Sequence, residues 1–157
     1  MAVSAVSEDV QEAVALSELE IAAWQGFVFS HSGVLRDLDA MLRATAGISA
    51  GAFGVLHLLT RERSGLLRVT EIADRTCMTA SGVSRIVATL AEHGLVERRP
   101  DDDDGRAWRI ALTPAGAERV ARWLPAVTAF IRERFTGRFS PDELAAISSF
   151  WSRIEQP

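Results

Sequence analysis

Apolar positions along the chain fall into two periods. Across residues 17–43, Trp24, Phe27, Val28, Val34, Leu35, Leu38, Met41 and Leu42 recur at three- and four-residue steps, the signature of one helix face. After Gly47, residues 48–63 predict a second helix with Phe53, Leu56 and Leu59 on one side, ended by Ser64-Gly65. Residues 66–69 predict a very short strand. Residues 70–75 predict a short helix with Thr70 as N-cap and Glu71 in its favourable first turn. Residues 79–93 predict another helix, with Gly94 as left-handed C-cap. The pattern then changes: residues 95–99 and 107–112 are strand-like, and Pro100 with an aspartate run makes the turn between them. Thr113-Pro114 is an N-cap followed by proline at the first helical position, opening a helix to about residue 135 that Pro125 is expected to kink. Ser140-Pro141-Asp142-Glu143 is a capping box that opens a last helix to about residue 154.

Residues 69–113 therefore read as two short helices followed by a β-hairpin, a helix-turn-helix with a wing. The predicted fold class is mainly α with a small β wing. On the 79–93 helix, Val83, Ile86, Val87 and Leu90 form one face, while Ser81, Ser84, Arg85 and Ala88 fall largely on the other. A DNA-reading helix needs this division, with one face packed and one face in the major groove. Thr79 and Ser81 suit phosphate at the helix N-terminus, and Arg85 suits a guanine edge. The wing carries Arg98, Arg99, Arg106 and Arg109, and an arginine at such a tip fits a narrow minor groove. The four aspartates Asp101 to Asp104 run against phosphate binding. Asp104 is expected to orient Arg106 or a neighbouring arginine through an ion pair, with residues 101–103 pointing away from DNA.

Composition narrows the class. The length of 157 residues fits one domain with a real core, and hydrophobic residues at 48% exclude a disordered tail. No apolar run reaches the roughly 18 residues of a membrane span. The first basic residue is Arg36, preceded by Glu8, Asp9, Glu12, Glu18 and Glu20, which argues against the basic leaders of secreted or imported chains and leads to the expectation of a cytoplasmic protein. The net charge is −4, yet without residues 1–35 (five acids, no bases) the balance is 17 − 16 = +1. All basic residues are arginine, whose planar fork suits phosphate and base edges.

In EIADR, SGVSRIVATL, HGLVERRPDDDDGR and ALTPAG, in that order and spacing, the chain resembles the MarR (multiple antibiotic resistance regulator) family of bacterial transcription factors. The resemblance covers roughly residues 19–154. It implies a single domain over residues 1–157, in which residues 1–47 and 114–157 are dimerisation helices and residues 48–113 the winged-helix DNA-binding module. It implies a homodimer on an inverted-repeat operator in double-stranded DNA, acting as a ligand-responsive repressor released by a small aromatic or phenolic effector. Family contacts carry over to Ser81, Ser84 and Arg85 on the reading helix and Arg106 on the wing, with Arg98 and Arg99 beside them. Gly105 stands where many relatives carry a second arginine, which implies weaker wing binding here. The residues also support dimerisation directly. Trp123, Leu124, Val127, Phe130, Ile131 and Phe135 crowd one terminal helix, Phe150, Trp151 and Ile154 end the other, and Leu16, Leu19 and Ile21 lie near the opposite terminus, more apolar surface than so short a chain covers alone.

Apolar walls with a few polar groups make small-molecule sites, and Trp24, Phe27, His31, Phe53 and His57 are the candidates for an effector pocket between the first two helices and the reading module. His31, His57, His93 and the single Cys77 lack metal-ligand spacing, so no metal or cofactor is expected. Cys77 is expected to be a buried structural thiol. No phosphate loop, nucleophile elbow or His-Glu-x-x-His is present, so the chain reads as a non-enzyme. The rival reading is a winged helix used for protein–protein assembly, separable by the steep salt dependence of DNA binding.

Overall fold

The computed structural model describes residues 16–101 and 108–155. By backbone contacts the chain divides into Met1–Arg36 and Asp37–Pro157. The first unit holds most of α1 (Glu18–Ala46), which opens with Ser17 capped by the Glu20 carboxylate. Its large side chains stand in solvent: Leu19 is 80% exposed and Trp24 61%.

The second unit contains the end of α1, then α2 (Ala50–Arg61), β1 (Leu66–Arg68), α3 (Val69–Thr76), α4 (Ala80–Glu92), β2 (Val96–Pro100), β3 (Trp108–Leu112), α5 (Pro114–Arg134), a 3-10 turn (Thr136–Arg138) and α6 (Pro141–Glu155). The fold class is mainly helical with one small antiparallel sheet, as the two periods predict. Strand order is β1-β3-β2, so β3 is central. It pairs Leu66 with Ala111 and Arg68 with Arg109 on one side, and Val96 with Leu112 and Arg99 with Arg109 on the other.

The caps explain where the elements begin. Ser49 accepts the Ala52 N–H and Thr113 the Gly116 N–H, each closing an orphan donor of its helix. Ser140 and Glu143 cap reciprocally as the capping box requires. The Asp39 carboxylate accepts the Ala50 N–H at 2.8 Å, tying the end of α1 to the start of α2. That bond, with the Arg43 ion pair beside it, holds the Asp39 carboxyl below its usual range.

Three expectations are corrected. Arg68, not Thr70, is the N-cap of α3, because the Glu71 carboxylate accepts the Arg68 N–H at 2.6 Å directly off β1. Cys77 is exposed, not buried: it ends α3 in the left-handed conformation (φ +53°), and this reversal leaves the thiol in solvent. Trp123 and Val127 are not free for a partner, since with Val120 they bury the inner face of α5 in the core. Pro125 sits within an otherwise continuous α5.

The core gathers Leu42, Val55, Leu56, Leu59, Ile72, Val83, Val87, Leu90 and Ile110, drawn from α1, α2, α3, α4 and β3. It therefore anchors α3 and α4 as one body with the sheet. The dense packing of such interiors is what makes the outer face of α4 a fixed surface.

Candidate nucleic-acid interface

Thr79 N-caps α4. Its Oγ1 accepts the Gly82 N–H at 3.1 Å and lies 3.3 Å from Ser81 Oγ. The helix then follows its wheel: Val83, Val87 and Leu90 are buried, Ile86 is half-buried against the core, and Ser81, Ser84, Arg85 and Ala88 are exposed. The reading face thus presents two hydroxyls and a guanidinium on a rigid helix. Arg85 has no acidic partner among the described residues, which leaves its donors available. His93 closes the helix, its Nδ1 2.7 Å from the Thr89 carbonyl, the terminal role that suits a histidine at a C-terminus.

The loop before α4 is braced from outside the helix pair. Arg75 of α3 pairs with Glu62 at 2.6 Å, and this bond, with the Ser64 N–H, lowers the Glu62 pKa. Gly51 passes close to Ile86 and Met78, where a Cβ would stand 3.4 Å from each, so α2 seats directly on the reading pair.

On the wing, Arg98 and Arg99 are both exposed, and Arg99 Nε donates to Glu97 at 2.8 Å. Asp104, Gly105 and Arg106 lie outside the described residues. The aspartate next to them behaves unlike a solvated turn residue. Asp101 is the sole buried charged side chain among the described residues, with 3% of its surface exposed. Its Oδ2 accepts from Arg68 Nε and Nη2 at 2.6 Å and from Arg109 Nε at 2.9 Å. The bond to Asp101 raises the Arg109 pKa above its ordinary value. Sequence reasoning missed this cluster, because partners 33 residues apart and a strand register leave no periodic signal.

The five effector candidates form two ring clusters. Along α1, Trp24 meets Phe27 at a tilt with centroids 6.0 Å apart, and Phe27 stacks on His31 at 5.9 Å. Phe53 and His57 stack on α2 at 5.8 Å. His57 Nδ1 is buried without a hydrogen-bond partner, and burial, aided by Arg61, pushes its pKa down. A separate open cavity of about 480 Å³ lies between the α1–α2 corner, α4 and α5, lined among others by Arg43, Ile86, Arg85, His93, Arg119 and Trp123; none of the five candidates lines it. Among the described residues no cluster of three or more His, Cys, Asp or Glu side chains could hold a metal ion. No single described helix is long and apolar enough to cross a membrane.

With this geometry in view, a sequence profile of the MarR family matches residues 46–107. The chain is 35% identical over 82 residues to the HTH-type transcriptional repressor YetL of Bacillus subtilis, covering 52% of this chain and 49% of the relative. The chain spans about half the length of the first curated relatives it matches. Among solved structures it is similar to Sco3205, a MarR family transcriptional regulator of Streptomyces coelicolor in complex with DNA, at 26% identity over 91% of each chain with a TM-score of 0.86. It also shares its fold with AbsC, a MarR family regulator of the same organism, at 21% identity over 89% of this chain and 94% of that one, with a TM-score of 0.82.

Proposed function

We propose that this chain is a MarR-type, sequence-specific DNA-binding transcriptional regulator, acting in the cytoplasm as a homodimer on an inverted repeat; the family profile over residues 46–107 and the likeness to Sco3205 support this. The observation that carries this reading is the division of α4. Its buried stripe of Val83, Val87 and Leu90 fixes the helix, while Ser81, Ser84 and Arg85 are exposed on its outer face. In this reading Ser81 and Ser84 meet the major groove with Arg85 on a guanine edge, and Thr79 at the helix start lies against phosphate. Arg98 and Arg99 approach phosphates on the wing, and Arg106, oriented by Asp104, enters the minor groove.

Dimerisation is supported by apolar side chains the single chain leaves in water: Leu19, Trp24 and Leu35 on α1, Leu124 and Ile131 on α5, and Phe150, Trp151 and Ile154 on α6. Two-fold symmetry places the two reading helices about one DNA turn apart. The domain division proposed is residues 1–47 and 114–157 for dimerisation and residues 48–113 for reading DNA. Repression, and its release by a small aromatic or phenolic effector at Trp24, Phe27, His31, Phe53 and His57, completes the proposal. An effector acts only by binding the non-reading arrangement more tightly.

The test is fluorescence anisotropy of the purified protein on DNA upstream of its own gene, across a salt series. Selective binding that weakens steeply with salt is expected. Absence of selective binding there and in enriched genomic fragments would instead favour a protein-assembly role for the winged helix. Adding aromatic acids to the formed complex tests the effector. No release at millimolar concentration sinks that part alone.

A further inference from the structure

Strand register places Arg68, Arg109 and Arg99 side by side across β1, β3 and β2. Like charges directly opposite on neighbouring strands repel, so this row needs a counter-charge. Glu97 supplies one to Arg99 at the exposed edge. The other comes from Asp101, whose side chain is fully buried while binding Arg68 and Arg109 together. A buried carboxylate is costly unless paired and hydrogen-bonded, and here both guanidiniums reach the same oxygen.

The three residues come from different parts of the reading unit. Arg68 is the N-cap of α3, Arg109 sits in the central strand, and Asp101 immediately follows β2. One carboxylate thus fastens the root of the wing to the start of the helix pair. It also occupies two of the cations nearest the wing.

We infer that Asp101 is a specificity-determining positioning residue: it fixes the wing relative to the reading helices and withholds Arg68 and Arg109 from DNA phosphate. This rests on the reading of the winged helix as a DNA interface. Phosphate contacts carry affinity without sequence information, while base contacts carry sequence. A wing held by Asp101 meets DNA in one register, and two arginines that would otherwise grip any duplex stay silent. Asp101 acts through its partners and makes no DNA contact of its own.

The consequence is an unusual sign. Replacing Asp101 by asparagine keeps the shape but removes one negative charge from the cluster, so Arg68 and Arg109 gain attraction for phosphate. D101N is expected to bind non-specific duplex more tightly than the wild type. Its log-affinity against log-salt slope should steepen by roughly 0.9 for each phosphate newly neutralised. Preference for operator over non-specific DNA should fall at least about fivefold, the scale of losing one well-read base pair. A merely structural role moves both affinities down together and leaves the slope unsteepened.

The experiment measures anisotropy on operator and scrambled duplexes over a salt series for wild type, D101N, D101E and R109Q, with the fold of each checked by circular dichroism. D101E keeps the charge but displaces it, and is expected to lose selectivity with no change of slope. R109Q removes one cation and leaves Asp101 paired with Arg68, and is likewise expected to lose selectivity without a steeper slope. If D101N fails to fold, these two decide the matter: wild-type selectivity in both overturns the inference. D101N that folds and keeps wild-type selectivity and slope overturns it as well. A wild type without salt-dependent binding to either duplex overturns the DNA-reading function itself, a result distinguishable from either outcome.

Discussion

Gly116 stands so close to the main chain of Leu95 that a Cβ at this position would lie 2.1 Å from the Leu95 carbonyl oxygen and 2.8 Å from Leu112 Cδ1. The approach is enforced from both sides. Thr113 donates its hydroxyl to the Gly94 carbonyl at 2.7 Å and its N–H to the Leu95 carbonyl at 3.1 Å, while accepting the Gly116 N–H. The first turn of α5 is therefore bolted to the end of α4, the helix proposed to read DNA.

Gly116→Ala is expected to destabilise the protein by about 1–3 kcal/mol or more, the cost of forcing an extra carbon into a packed site. The obstacle is backbone, which cannot swing aside as a side-chain tip can. Urea denaturation followed by circular dichroism checks this. A midpoint equal to that of the wild type would show that the two segments separate easily.

Arg85→Ala is expected to weaken operator binding by about 1–3 kcal/mol and to relax the preference at one base pair of each half-site. The measurement is anisotropy on operators substituted one position at a time. Uniform weakening over all sequences would reassign Arg85 to phosphate.

Thr79 carries two duties, as cap to Gly82 and as proposed phosphate donor. Thr79→Ala is expected to cost about 1 kcal/mol of stability through the cap alone, together with DNA affinity. Thr79→Ser keeps a hydroxyl and should retain both. A serine variant as impaired as the alanine variant would assign the effect to the lost methyl group.

His57 is expected to make the fold sensitive to mild acid. Its native pKa is lowered, first by burial and then by Arg61. The stability it contributes is therefore full above its unfolded value, about 6.5, and is lost as pH falls below that through the lowered native value. His57→Phe, which keeps a ring against Phe53, should flatten the stability profile between neutral pH and pH 5. Thermal melts across that range provide the check, and parallel profiles for the two proteins would refute it.

Ile131 and Leu124 are exposed on α5, along one flank of the stripe of Val120, Trp123 and Val127 that enters the core. Glutamate at both positions is expected to shift the protein from dimer to monomer in analytical ultracentrifugation, without loss of helical content. A dimer that persists unchanged would place the interface elsewhere.

Legibility followed the range of the interaction. The helices, their caps at Thr113 and Ser140, and the left-handed Gly94 (φ +69°) depend on neighbours a few residues away, so the order of side chains along the chain suffices to determine them. The same is true of the two faces of α4, because a 3.6-residue period sorts Val83 and Val87 from Ser84 and Arg85 before any partner is known. Tertiary structure decided what depends on residues distant in sequence. Trp123 belongs to the core while Leu124 next to it meets water, a choice made by where α5 docks. Cys77 is exposed because the chain reverses there. Asp101, read from the sequence only as part of an acidic turn, is buried because strand register brings Arg68 opposite Arg109 beside it.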